Sequence, residues 1–185
     1  HRDLHSFPTR RSSDLIAHIE GLAHKSVASR KVYQQVTLYK GSECFNHEAY
    51  DQALSWLHKS LDHPYDAALT IQVHLGLGET FSAQQAYALA IPHYQQVLQE
   101  APKSKPPYRQ ALYGLAYVYF NTGEYAQALT NFNQYIAQAN QGTPGTWVSD
   151  ALIRAADCYY ATKDYQRALQ LYDKATSEHA AHAHY

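Results

Sequence analysis

The sequence predicts an all-α solenoid of about four stacked helix–turn–helix units, on three observations. A Tyr-x-x-Ala pair recurs at Tyr50/Ala53, Tyr87/Ala90, Tyr125/Ala128 and Tyr165/Ala168, with successive alanines 37, 38 and 40 residues apart. Around each alanine the same side-chain classes return in register. A large apolar residue follows four later (Leu57, Tyr94, Phe132, Tyr172), and a small one stands twelve earlier (Gly41, Gly78, Ala116, Ala156). Self-similarity at such a period marks a repeat array, in which each unit buries its apolar face against its neighbours. Thirdly, apolar residues inside the units recur at helical spacing, and no alternating run bounded by turn residues offers a strand.

The elements follow in chain order. Residues 1–15, HRDLHSFPTRRSSDL, have no usable period, and Pro8 lies mid-run. Reverse-translated, they can be written as one reading frame that resembles a common short-read sequencing adapter. The segment is therefore expected to be non-native and no part of the native fold. Without its three arginines and two aspartates the net charge moves from -1 to -2. The chain begins at His1 and contains no Met, so it is expected to be an internal fragment of a longer protein. Residues 16–33, with Ile16, Ile19, Leu22 and Val27, are expected to be a partial preceding repeat or a helix. The array is expected over 34–178, in units of about 34–67, 71–105, 109–142 and 149–178, with 179–185 as a frayed terminus.

The third unit shows the pattern best. Ala111, Leu112, Leu115, Ala116, Val118 and Tyr119 form one broad apolar face. Gly123 suits the left-handed turn that ends a helix, and Tyr125, Ala128, Leu129, Phe132, Tyr135 and Ile136 make the second helix. Pro92 is assigned to the first turn of its helix, where the amide lacks a partner anyway. Pro64 and Pro102 fall just past two second helices, and the stretches 102–107 and 141–145 supply inter-repeat loops.

Composition excludes several function classes. Hydrophobic residues make up 45% and charged residues 17%, which rules out a disordered chain. A net charge of -1 provides no basic footprint for nucleic acid. No apolar run approaches the ~20 residues of a membrane span. Cys44 and Cys158 lie three units apart in first helices, too far for a disulfide, and are expected to be buried free thiols. Gly76-Leu77-Gly78 lies in a helical pattern and lacks the strand and third glycine of a phosphate loop. His179, His182 and His184 are close in sequence, but a fraying end cannot supply the rigid geometry of a metal site. His18, His24, His47, His58, His63, His74 and His93 are scattered without ligand spacing. The Asp150/Asp157 and Asp62/Asp66 carboxylates read as solvated helix ends. No catalytic, cofactor-binding or metal residue is assigned, and the chain is expected not to be an enzyme.

On the residues quoted, the chain resembles the tetratricopeptide repeat (TPR), a 34-residue helix–turn–helix unit, over roughly residues 34–178. The resemblance implies a right-handed α–α superhelix whose first helices line a concave, protein-binding groove. By register that face carries Leu38, Ser42, Phe45 and Asn46, then Leu75, Glu79 and Ser82. It continues with Tyr113, Tyr117, Phe120 and Asn121, then Ile153, Asp157 and Tyr160. The groove candidates are Phe45, Asn46, Glu79, Tyr113, Tyr117, Phe120, Asn121, Asp157 and Tyr160. The aromatic members form either a peptide platform or packing against a loop or neighbouring repeat. The Lys and Asn pattern that grips a C-terminal carboxylate in some relatives is absent from Leu38, Leu75, Tyr113 and Ile153, and from Ser42, Glu79, Tyr117 and Asp157. An acidic tail would be repelled by Glu79 and Asp157.

Residues 111–120 (ALYGLAYVYF) and 150–160 (DALIRAADCYY) resemble bacterial cell-envelope repeat proteins of the Tol-Pal-associated YbgF type. That resemblance implies a periplasmic or outer-membrane-associated interaction scaffold. The alternative is a cytoplasmic regulatory or sensor module, once fused to a catalytic or DNA-binding domain.

Overall fold

A computed structural model describes residues 9–62, 64–139 and 147–182, and among them the chain is helical without strands. The elements are α1 (Thr9–Glu20), α2 (Val27–Asn46), α3 (Tyr50–Leu61), α4 (Ala67–Ala83) and α5 (Tyr87–Glu100). After them come α6 (Pro106–Asn121), α7 (Tyr125–Ala139), α8 (Val148–Ala161) and α9 (Tyr165–His182). Residues 1–8, the 141–145 loop, His63 and the side chains of His179, His182 and His184 lie outside the described residues.

From α2 onward the helices pair as four antiparallel hairpins, α2/α3, α4/α5, α6/α7 and α8/α9. Each hairpin closes through a three-residue turn (47–49, 84–86, 122–124, 162–164) whose central residue is left-handed. Gly123 takes this conformation at φ 79, as the sequence anticipates, but Glu48, Gln85 and Lys163 adopt it too, at φ 59, 59 and 65. The reason lies in the hydrogen bonds. In every turn the amide after the left-handed residue donates to a carbonyl five residues back: Ala49 to Cys44, Ala86 to Phe81, Glu124 to Tyr119, Asp164 to Tyr159, at 2.8–2.9 Å. The left-handed residue's own amide donates three residues back. This paired capping satisfies the orphan carbonyls at the helix end and offsets the left-handed strain of three side-chain-bearing residues.

Pro92 departs from expectation. Because α5 begins at Tyr87, Pro92 lies in the second helical turn, inside the helix. The carbonyl of Ala88 loses its donor there, but Ala88 and Pro92 both face solvent, so water can take the place of the missing amide.

The repeat positions form the core. Ala53, Ala90 and Ala128 have no exposed surface, and Leu57, Tyr94 and Phe132 are equally buried against the first helices. Gly41 and Gly78 allow this approach: a Cβ on Gly41 would meet Leu57 at 2.8 Å, and one on Gly78 would meet the Tyr94 ring at 2.9 Å. First helices also touch one another in succession, α2 with α4, α4 with α6 and α6 with α8, whereas the second helices make no such contacts among the described residues. The array therefore curves with its first helices inside.

α1 docks ahead of the first hairpin through Ile16 and Ile19, which pack with Tyr33 of α2. Thr9–Leu15 of the adapter-like segment is helical, but the core contribution of α1 comes from those two isoleucines beyond it. Buried Gln34 fastens the first hairpin to the second. Its amide donates to Thr70 Oγ1 (3.0 Å), and its carbonyl oxygen accepts from the amides of Tyr65 and Asp66 (3.1 and 2.9 Å). Asp66 caps α4 through the amides of Ala68 and Leu69 and pairs with Lys31, which holds its carboxyl below the usual range.

Candidate protein-interaction groove

The inner face formed by the first helices has two chemically different parts. The first is a pocket of about 620 Å³ between α2, α4 and the N-terminus of α6. Leu38, Ile71, Leu75 and Pro106 supply apolar walls, and Ser42, Gln72 and Gln110 add neutral polar groups. Pro102 and Pro106 bracket the short loop that shapes one side, and Pro106 opens α6, where its missing amide costs nothing. Two lining residues ionise, Glu79 and Lys105. Glu79 is half-buried, and burial alone pushes its carboxyl up to about 7.

The second part, between α6 and α8, is aromatic and charged. The hydroxyls of Tyr113 and Tyr117 both donate to Asp150 Oδ2, at 2.7 and 2.5 Å. Arg154, one turn along α8, donates from Nε to the Tyr117 hydroxyl at 3.2 Å and pairs with Asp157 at 2.8 Å. Its guanidinium lies 6.0 Å from the Tyr117 ring centre and 5.8 Å from that of Phe120. Tyr172 of α9 donates to the other oxygen of Asp157. Trp147 stacks on Tyr113 at 5.1 Å. Burial first, and then the bond to Asp150, raises the phenol pKa values of Tyr113 and Tyr117. The bond to Asp157 leads in pushing Tyr172 up to about 12.

The candidates therefore separate. Glu79 belongs to the pocket, while Tyr117, Phe120 and Asp157 are joined through Arg154 and Tyr113 joins them through Asp150. Phe45 packs beside Tyr50 at 5.7 Å, and Asn46 is exposed at the end of α2, neither lining the pocket. Asn121 is exposed at the end of α6, and Tyr160 is 62% exposed, edge-on to Tyr165.

Three features escape the sequence. Asp150 and Asp157 are hubs of a hydrogen-bonded network rather than solvated helix ends, because α6 places two tyrosines one turn apart opposite Asp150, while Arg154 and Tyr172 of α9 engage Asp157. Arg154 carries no motif, and its only signal is the i,i+3 and i,i+4 spacing to the two aspartates. His74 and His93 are not scattered: their Nδ1 atoms lie 3.0 Å apart across the α4/α5 hairpin, with Phe81 stacked on His93. Burial chiefly, then His74 and His58, push His93 down to about 4. Cys44 and Cys158 are buried free thiols, and burial raises both, Cys158 to about 11.

Family models described as tetratricopeptide repeat match residues 72–104 and 108–177. The chain carries tetratricopeptide repeats. No curated protein sequence matches it significantly. Among solved structures, BtubC (BKLC) from P. vanneervenii superposes with TM-score 0.81 at 14% identity, covering 94% of this chain and 72% of that one. MamA superposes at 0.73 with 17% identity, covering 97% and 98%. YrrB, described as a TPR protein with an unusual peptide-binding site, superposes at 0.65 with 19% identity, covering 91% and 78%. At these identities the likeness is one of fold. The TPR array is thus an all-α repeat solenoid of the kind that supports protein interaction, and among its described helices none is long and apolar enough to cross a membrane.

Proposed function

We propose that this TPR chain is a non-catalytic scaffold that holds an extended segment of a partner protein in its concave groove. The pocket between α2, α4 and α6 carries the reading, because it combines preformed apolar walls with a few polar groups on a rigid helical frame. TPR units are in general binding rather than catalytic modules, and the neighbour YrrB is described as having a peptide-binding site. The test is selection from a displayed random-peptide library against the wild-type chain and a Ser42→Trp/Gln72→Trp variant. Both positions line the pocket and are exposed, so two indoles fill it without entering the core. Peptides that bind wild type and lose the filled variant are expected. Binders indifferent to the substitutions would overturn the groove as the site.

On the resemblance of residues 111–120 and 150–160 to envelope repeat proteins, we further infer a location in the bacterial cell envelope. Fractionation of spheroplasts carrying the full gene checks it, and recovery with cytoplasmic markers points instead to the regulatory-module alternative.

A further inference from the structure

The two parts of the groove treat their charges differently. Asp150 and Asp157 are engaged by Tyr113, Tyr117, Arg154 and Tyr172. Glu79 joins none of the hydrogen bonds or ion pairs formed among the described residues, and burial is the sole influence on its carboxyl. Lys105, the other ionisable lining residue, is exposed and forms no ion pair with it among those residues. A half-buried carboxylate beside aliphatic walls bears a desolvation cost that an incoming cation relieves. The walls also select the carrier of that cation. Leu75 stands one helical turn before Glu79 on α4, and Leu38 lines the same pocket, which suits a side chain with an aliphatic stem and a charged head.

We propose that the pocket between α2, α4 and α6 receives a lysine or arginine side chain of the bound segment, its stem against Leu38 and Leu75 and its head against Glu79. The proposal rests on the groove reading above and names the chemistry of its partner: a basic segment flanked by apolar residues. Attraction here is opposite in sign to recognition of an acidic C-terminal tail, which Glu79 repels.

The experiment uses three probes, the acetylated tripeptide amides Leu-Lys-Leu, Leu-norleucine-Leu and Leu-Glu-Leu. Each is titrated into the full chain at about pH 8, above the raised Glu79 carboxyl value, with the methyl NMR signals of Leu38 and Leu75 as the readout. The lysine probe is expected to bind about five-fold more tightly than the norleucine probe, and the glutamate probe more weakly than either. In Glu79→Gln, which keeps shape and removes charge, the lysine preference disappears while norleucine affinity stays. Circular dichroism confirms that the variant is folded. Equal affinity of the lysine and norleucine probes for wild type, or a preference that survives Glu79→Gln, overturns the cation site and leaves the groove standing. Failure of all three probes to move the methyl signals overturns the groove reading and this proposal together.

Discussion

His93 shows how much one position depends on its neighbours. On the exposed face of an isolated helix it would titrate near the ordinary imidazole value of 6.5, but burial, His74 and His58 bring it to about 4. His74 is lowered as well, chiefly by burial and against the pull of Glu100. The unfolded chain therefore binds protons more readily than the folded one between those values. Stability from the neutral pair is complete above pH 6.5 and is lost as pH falls towards 4, by about 2–3 kcal/mol for His93. Urea unfolding at pH 7 and at pH 4.5 should show this difference in wild type and a much smaller one in His93→Gln. An equal difference in both would assign the acid sensitivity elsewhere. The pairing itself was invisible in the sequence, because 19 residues separate two histidines that meet only when α5 folds back on α4.

At the scale of the element, the interlock of α4, α5 and α6 turns on Tyr94. Its ring lies between Gly78 and Gly114, where an added Cβ would approach to 2.9 and 2.6 Å respectively. With glycine on both sides the ring has no room to retreat. Gly114→Ala therefore gains about 1 kcal/mol of helix propensity but forces overpacking of about 1–3 kcal/mol, and the net effect should be a lower melting temperature. Gly76→Ala provides the contrast. Its Cβ would meet the buried Leu57 methyls at 3.3–3.4 Å, a milder crowding that a shift of a few tenths of an ångström relieves, so the propensity gain should largely offset it and the melting temperature fall less than in Gly114→Ala. Thermal unfolding of the two variants side by side decides the point, and a destabilised Gly76→Ala with an unaffected Gly114→Ala would reverse the argument. The small-residue register announced Gly78 as a close-contact position. Gly114 lies outside that register, and its role comes from the neighbouring hairpin.

For the whole molecule, the core is a chain of overlapping contacts rather than a single centre. Phe81 packs against both the cluster of Leu38, Leu57, Val73 and Leu77 and the larger one that runs on through Tyr94, Phe132 and Leu152. Each hairpin thus depends on its neighbours, as nearest-neighbour coupling in solenoids requires. The curvature that follows brings Leu38, Leu75 and Pro106, from three successive hairpins, to one pocket. It also sets Tyr113 and Tyr117 against Asp150, more than thirty positions later in the chain. The chain's 17 tyrosines accordingly serve in two main places: repeat positions such as Tyr87 and Tyr125, and a polar network at one end of the groove that ties α6 to α8.

The sequence by itself determined the repeat, its helical class, the small and large positions of the core, and the left-handed turn at Gly123. Those depend on local period and on residue size, which one dimension records. The left-handed Glu48, Gln85 and Lys163 were not marked in the same way, because capping hydrogen bonds rather than side-chain identity stabilise that conformation. Only the tertiary structure decided that Glu79 has no hydrogen bond or ion pair among the described residues while Asp150 and Asp157 do, and that His74 meets His93. Burial and partnership of a charge depend on which helices curvature brings opposite it, and repeat spacing alone carries no record of that.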